Sequence, residues 1–403
     1  MKKKLMILGA GIYQVPLIQK AKEMGIETIV LSIPGDYPGI AFADKFYPVD
    51  TRDYEAVLRL ARQERIHGIC TSGTDIAVRS IGYVCSRMGL AGITEEAACK
   101  ATDKALMKEA FVSAGVSTAA YKMAETVEEA IEAAEELGYP VVVKAVDSSG
   151  SRGIAKACSG EEVRSAYEDA AGNTKEKYIL VEEYIEAEEI GVDAFVGQET
   201  LEAYFPHEKF NYEINGRTIP VGHRFPFHGS EKLNQELEKQ IRMAAKSLGM
   251  TNCPLNADVF IKDEKVWVIE IGGRSGATCI PELISANQGY NWYEKVIRAA
   301  MGEPEKFTGT RDVPSMAKLL FSPVEGKIVR IDKDELNRLQ RERIYCQIDY
   351  TEGQRIRKMT NGTDRIGHVL MVTSQEKELD EALGRLRRCI WLDKGNLEEL
   401  WEN

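Results

Sequence analysis

The chain has 403 residues, 44% of them apolar and 29% charged, with a formal net charge of −11. That length holds two or three domains and the composition is that of a soluble globular protein. The acidic balance excludes general nucleic-acid binding, which needs a basic surface to displace counterions from phosphate. The opening MKKKLMILGAGIYQ has the outline of a signal peptide, but its short apolar run passes straight into an α/β pattern and reads as a first strand. From there to residue 92, strand-like runs such as LMILGAG (5–11), ETIVLSI (27–33) and HGICTSG (67–73) alternate with helical segments at 53–64 and 74–88. Apolar strands separated by helices predict a parallel, doubly wound sheet. Gly9 and Gly11 fit the start of a dinucleotide fingerprint, but Gln14 stands where its third glycine belongs and no acidic residue ends the second strand, so NAD binding is a weak reading.

A single helix is expected over 94–115, started by Thr94 with Glu95 and Glu96 in its first turn and stopped by Gly115. A second follows at 126–137, then a strand, a polar glycine loop and another strand in PVVVKAVDSSGSRGIAKACS, and a helix at 161–171. Antiparallel strands, a helix at 231–248 and the hairpin NADVFIKDEKVWVIEIGG complete an α+β unit unlike the first. Beyond 311, strands are expected in SMAKLLFSP, KIVRI and RIGHVLMVTS, with a helix at 376–388. Gly92 and the stretch MGEPEKFTGTRDVP at 301–314 mark the domain boundaries. No run reaches the roughly 18 apolar residues of a membrane helix. The eight cysteines form no C-x-x-C pair, so they carry no zinc or redox signature and point to the cytoplasm.

Lys144 lies inside the apolar run VVVK. A lysine there either snorkels outward or meets an anion, because an unpaired buried ammonium is costly. The loop behind it, with Ser148, Ser149, Gly150, Ser151 and Gly153, lets backbone N–H groups close on phosphate oxygens, or is simply a hairpin turn. It lacks the G-K-[ST] ending of a Walker loop. ILVEEYIEAEE turns polar at Glu182 and Glu183; it can offer main-chain groups to an adenine edge and Glu189 to ribose hydroxyls, or be a solvated acidic turn. In the hairpin, Asp258 and Glu270 flank a turn near Lys262–Lys265. A loop of three or five residues centred on Glu264 sets the two carboxylates opposite each other, where Mg²⁺ would find hard oxygen ligands. A loop of two or four puts them on opposite faces. The competing reading makes Asp258 a surface residue and pairs Glu270 with Arg274. His223 and Arg224 could hold a substrate carboxylate, and Ser275 and Gly276 could offer backbone N–H groups to a substrate, especially if a helix opens at Cys279.

In their order, Lys104 on a helix, VVVK at 141–144 with SSGSRG, VEEYI at 181–185, Asp258 and IEIGGR at 269–274 resemble the ATP-grasp superfamily. The likeness is to its carboxylate–amine ligase branch, which includes L-amino-acid ligases and is related to biotin carboxylase and carbamoyl-phosphate synthase. It implies an ATP-grasp fold, α/β and α+β: an N-terminal doubly wound domain (1–92), an ATP-grasp domain (93–310) with a small mobile lobe at about 118–185, and a C-terminal α+β subdomain (311–403). It further implies ATP and Mg²⁺ (or Mn²⁺) as cofactors. Lys104 and Lys144 then touch the phosphates, and Ser148–Gly153 forms a flap over them. Glu182, Glu183 and Ile185 form the adenine hinge, and Glu189 contacts ribose. Asp258 and Glu270 hold the metal, and Arg274 steadies the reacting carboxylate. The usual pattern after the second carboxylate is Glu-x-Asn-x-Arg; here Gly272 replaces the Asn. The implied activity is activation of a carboxylate as an acyl phosphate and its capture by an amine, as in joining two amino acids, in the cytoplasm and without nucleic acid or membrane. A homodimer is common among such proteins. The rival readings are a bicarbonate-activating carboxylase and a non-catalytic nucleotide sensor or scaffold.

Overall fold

A computed structural model of the chain describes residues 2–148, 150, 152–198, 200–214, 217–309 and 313–402. Two compact units emerge, one of Met1–Phe205, His228–Ala277 and Tyr293–Phe307, the other of Pro206–Phe227, Thr278–Trp292 and Thr308–Asn403.

The first unit opens with β1 (Lys4–Leu8), α1 (Val15–Glu23), β2 (Glu27–Ser32), β3 (Lys45–Pro48), α2 (Tyr54–Glu64), β4 (Gly68–Cys70) and α3 (Val78–Met88). The strands form the expected parallel sheet in the order β3-β2-β1-β4. Leu5, Ile7, Leu17, Ile18 and Val30 pack its core, which is why these strands read as continuous apolar runs. At the end of β1, Gln14 closes the glycine turn from within. Its Oε1 accepts from Gly11 N at 2.8 Å and its Nε2 donates to Ser72 O. The N–H that a dinucleotide phosphate would need is therefore spent.

The single helix expected over 94–115 is two: α4 (Glu95–Lys100) and α5 (Lys104–Ser113). The break is made by Asp103, whose carboxylate accepts from Ala105 N and Leu106 N and starts a new helix. Lys104 thereby becomes the first residue of α5, and its N–H donates to Val146 O at 3.0 Å. Next come β5 (Tyr121–Ala124), α6 (Val127–Leu137), β6 (Val141–Lys144), β7 (Ile154–Ala157), α7 (Gly160–Gly172) and β8 (Ile179–Glu183). They form a small antiparallel sheet, β5-β8-β6-β7. The core of this layer sets Ala130, Ala133, Ala134, Ala166 and Ala170 against Val141, Val143 and Val181; small side chains let two helices lie close on a short sheet. β9 (Glu188–Val196) follows. β10 (Leu201–Ile214) carries the chain into the second unit, where it pairs with β11 (Arg217–Phe225). The first unit resumes with α8 (Glu231–Ser247) and the hairpin β12 (Cys253–Lys262) and β13 (Lys265–Gly272), with β12 pairing antiparallel to β9.

The second unit continues with α9 (Ile280–Gln288), after which α10 (Trp292–Ala300) lies mainly in the first. Then come β14 (Ser315–Leu320), β15 (Gly326–Ile331), α11 (Lys333–Arg341), β16 (Ile344–Ile348), β17 (Arg355–Ile356), β18 (Gly367–Val372), α12 (Lys377–Arg387), β19 (Ile390–Leu392), β20 (Gly395–Asn396) and α13 (Glu399–Glu402). Met316, Leu320, Ile328, Val369, Met371 and Leu386 anchor its core. The strands and the helix expected here are present, whereas α11 went unread; only Leu336 and Leu339 turn to the core along it, a stripe too short to establish a period in the sequence. Among the described residues no helix is long and apolar enough to cross a membrane.

Candidate active site

The β12–β13 hairpin has a two-residue turn, Asp263-Glu264, with φ of 49° and 59°. Both residues lie in the left-handed region that a tight hairpin turn requires, and Lys262 pairs with Lys265. Of the two loop lengths the sequence left open, the turn takes the even one, which by itself would put the two carboxylates on opposite faces. A regular two-residue hairpin would set Glu270 across from Ala257, on the face away from Asp258. A β-bulge corrects this. Val259 pairs with Val268, but Asp258 pairs with Glu270 and Ala257 with Ile271, so Ile269 is one residue more than the ladder needs. The buried row runs Val266, Val268, Ile271 opposite Ile261, Val259, Ala257. The phase shift keeps both apolar rows in the core while the two carboxylates share the other face.

Lys104, at the start of α5, reaches this face. Its Nζ lies 3.3 Å from Glu270 Oε2 and donates to Ser148 O at 2.8 Å. Burial alone would lower the pKa of this ammonium, but Glu270, Asp75 and Glu182 outweigh it and hold the pKa above its ordinary value. Lys144 Nζ donates to Glu182 Oε2 at 2.9 Å, and Lys108 Nζ lies 3.4 Å from the same oxygen. Lys108 also donates to Thr118 Oγ1 at 2.7 Å. Burial pushes the Glu182 carboxyl up, yet the two ammonium groups overcome it and keep its pKa below the usual value. Burial pushes Lys108 down to about 8 against the pull of Glu182.

The Glu182 side chain, expected to contribute to an adenine hinge, is therefore turned to lysines. Beside it, Glu183 N donates to Ala120 O at 2.9 Å and Tyr184 N to Pro140 O at 3.2 Å. Glu183 is exposed and Ile185 half-buried. Glu189 stands on β9 across from Phe260. The glycine loop is closed at its base by Ala145 N donating to Gly153 O at 2.8 Å, and Asp147 pins it by accepting from Thr174 Oγ1 at 2.6 Å. Gly153 has φ +63°, and a Cβ there would stand 2.9 Å from Ala145 Cβ, so both backbone and packing require glycine. Ser148 is buried and Gly150 exposed; Ser149 and Ser151 lie outside the described residues.

Arg274, in the loop after β13, is held at both ends of its guanidinium. Nη1 donates to Asn256 Oδ1 at 2.6 Å and Nη2 to Asp75 Oδ2 at 2.8 Å. Asn256 Nδ2 donates in turn to Asp193 Oδ2 at 2.8 Å, and Asp193 Oδ1 accepts from Gly276 N at 3.0 Å. The Gly276 N–H expected to meet substrate is thus engaged by Asp193. Ser275 O accepts from Gly73 N at 3.0 Å, which ties the arginine loop to the end of β4. Arg274 Nε, Asp75 Oδ1 and Ser72 Oγ are buried atoms with no hydrogen-bond partner among the described residues.

His223 and Arg224 lie on β11 in the second unit. His223 is buried, its ring 4.7 Å from that of His207; burial drives its pKa well below the ordinary value, so it is neutral and brings no charge to a carboxylate. Arg224 donates to Asp380 at 2.8 Å. Cys279 is buried just before α9, and burial pushes its thiol up, which fits a packing role.

Four residues of the first unit's site went unread. Lys108 stands one helical turn after Lys104 and Asn256 two residues before Asp258, so both share a face with a residue that was read. Asp75 and Asp193 carry no such signal.

Residues 137–282 match the ATP-grasp domain, and residues 318–393 match the L-amino acid ligase C-terminal domain 2. The formate-dependent phosphoribosylglycinamide formyltransferase of Wolinella succinogenes is 27% identical over 326 residues, 75% of this chain and 77% of that protein. The crystal structure of phosphoribosylglycinamide synthetase from Anaerococcus prevotii is similar with a TM-score of 0.80 and 29% identity, covering 97% of this chain and 99% of that one. The L-amino acid ligase from Bacillus licheniformis shares the fold, with a TM-score of 0.79 at 16% identity over 97% of this chain and 98% of that one. The chain thus carries an ATP-grasp domain and an L-amino acid ligase C-terminal domain on an ATP-grasp fold, the make-up of an ATP-dependent ligase that forms carbon–nitrogen bonds.

Proposed function

We propose that the enzyme activates a carboxylate with ATP as an acyl phosphate and joins it to the amine of an amino acid, releasing ADP and phosphate. The observation that carries this reading is the convergence of Asp258, Glu270 and Lys104 on one face of the β12–β13 hairpin, with Arg274 four residues further on. The donor set suits Mg²⁺. Among the described residues no group of three His, Cys, Asp or Glu side chains forms a ready-made metal cage, and Mg²⁺ takes one or two carboxylates with the rest supplied by phosphate and water. Asp258 and Glu270 would hold it, and bound there it would offset the charge of the phosphates.

Lys104 and Lys144 orient and neutralise the transferred phosphoryl group, since this step is mostly positioning and electrostatics. Arg274 presents its unpartnered Nε–H to an oxygen of the carboxylate or of the acyl phosphate. The loop at Ser148–Gly153, closing over the phosphates, excludes the water that would hydrolyse the intermediate. No enzyme nucleophile is needed, and burial pushes Cys70 and Cys253 up to about 12, leaving both as inert thiols.

The second reading takes formate as the carboxylate and a glycyl amine on a ribonucleotide as the acceptor. It is favoured by the curated relative named as a formate-dependent formyltransferase and is the same chemistry on a smaller acid. ADP release measured over pairs of L-amino acids, over formate with glycinamide ribonucleotide, and over bicarbonate separates these readings, with hydroxylamine trapping the acyl phosphate. Stimulation by amino acids alone supports the first reading, and stimulation by formate the second. Stimulation by bicarbonate alone assigns a carboxylase, and no stimulation by any acid overturns the ligase reading. Glu270→Gln should lower turnover by about 100-fold with the fold retained, as read from the circular dichroism spectrum.

A further inference from the structure

Gly272 breaks the Glu-x-Asn-x-Arg pattern, and the space above it is occupied by other residues. A Cβ at position 272 would stand 2.5 Å from Asp75 Oδ1 and 3.4 Å from the guanidinium carbon of Arg274. Directly across the hairpin stands Asn256. The asparagine that the pattern leads one to expect would carry its carboxamide oxygen about 2.4 Å from its own Cβ, as ordinary bond lengths dictate. Asp75 Oδ1 lies at nearly that distance from the Cβ position, delivered from the loop after β4 instead of from β13. It cannot simply swing away, because its other oxygen receives Arg274 Nη2 at 2.8 Å and the loop behind it is tied down through Gly73 N and Ser275 O. Asp75 and Asn256 thus take the two Nη groups of Arg274 and leave its buried Nε with no hydrogen-bond partner among the described residues.

We propose that Asp75 is the positioning residue of Arg274, and that position 272 is glycine in order to admit it. The two departures form one substitution distributed over two places: an acidic oxygen arrives from the N-terminal sheet where a side chain on β13 is missing. An arginine held at both Nη groups presents its Nε–H edge in a fixed direction, which is what a transferring phosphoryl or acyl oxygen needs. This inference rests on the reading of Arg274 as the arginine at the reacting carboxylate.

A double-mutant cycle in the full-length protein tests it, using Asp75→Ala, Asp75→Asn, Gly272→Asn and Asp75→Ala with Gly272→Asn. With the substrate pair that releases ADP, Asp75→Ala should lower kcat about 100-fold while leaving KM for ATP within about twofold. Asp75→Asn, which keeps an acceptor oxygen, should recover at least about tenfold of that loss. Gly272→Asn alone should be as damaging as Asp75→Ala and should lower thermal stability. The double variant should exceed both single variants in activity and surpass Gly272→Asn in stability, a non-additivity expected only of residues in contact. A readout free of substrate is the Nε–H resonance of Arg274 in protein labelled with ¹⁵N-arginine, assigned by its loss in Arg274→Lys. It should exchange slowly in the parent and the double variant and be broadened in Asp75→Ala. An unchanged resonance in Asp75→Ala, or additive stabilities around the cycle, overturns the proposal even in an active ligase. Coupled stabilities and an altered resonance in a protein that turns over no carboxylate sustain the placement of Arg274 by Asp75 and overturn the ligase reading instead.

Discussion

Glu182 is a buried carboxylate shared by two buried ammonium groups, Lys108 and Lys144. Such an arrangement stabilises only while every charge is matched, because removing one member leaves the others desolvated and unpaired. Glu182→Gln should therefore lower the unfolding free energy by about 3–5 kcal/mol, read from urea denaturation, and should raise KM for ATP as Lys144 loses its anchor. A loss below about 1 kcal/mol would mean that water, not Glu182, balances these lysines. At this scale the sequence showed Lys144 clearly, because a lysine inside VVVK violates the pattern of its strand. It hid Lys108, whose place on a helix is unremarkable until tertiary packing buries it. Asp75 was hidden more deeply, being 199 positions from the arginine it holds, a separation across which no local pattern extends.

At the scale of elements, the start of α5 shows how one side chain sets a boundary. Asp103 accepts from two N–H groups of the first turn, and Lys104 follows as the first helical residue. Asp103→Ala should cost about 1 kcal/mol of stability and raise KM for ATP, because the ammonium of Lys104 would lose its fixed origin. Thermal unfolding and ATP titration of the rate check the two effects separately. In the sequence, Thr94 as a start and Gly115 as a stop bounded one long helix, and Asp103 between them was passed over. The hairpin shows the opposite failure. The facing of Asp258 and Glu270 was anticipated, but for a reason the structure replaces. KVWVIEIGG is almost continuously apolar, so it lacks the alternation that would have betrayed the extra residue at Ile269. The glycine loop and the parallel sheet were legible because each depends on local composition.

For the molecule as a whole, the N-terminal sheet is built into the same compact unit as the ATP-grasp core, and part of its cohesion is electrostatic. Glu64, on α2, is held at about 2 by hydrogen bonds from Lys45, Tyr47 and Lys4, against an ordinary value of 4.5. Because the folded value is depressed, the stability contributed by this carboxylate is complete above about pH 4.5 and is lost as the pH falls toward 2. Glu64→Gln should remove this contribution, so that its unfolding temperature falls less steeply than the parent's between pH 4.5 and 2. Calorimetric scans across that window provide the check, and parallel slopes would count against the role given to Glu64.

The two lysines assigned to phosphate are already seated on carboxylates, Lys104 on Glu270 and Lys144 on Glu182. Nucleotide binding at such a site is a change of partners more than a gain of charge. For the proposed metal role, Glu270 would have to release Lys104 to accept a cation, and Lys104 would be released most easily with a phosphate there to receive it. Each exchange supplies what the other lacks. A nucleotide alone leaves Glu270 contending with its phosphates for one ammonium, and a cation alone strands Lys104. The resting ion pairs thus act as a lock with two keys, which favours the nucleotide and its cation entering as a single neutralising unit.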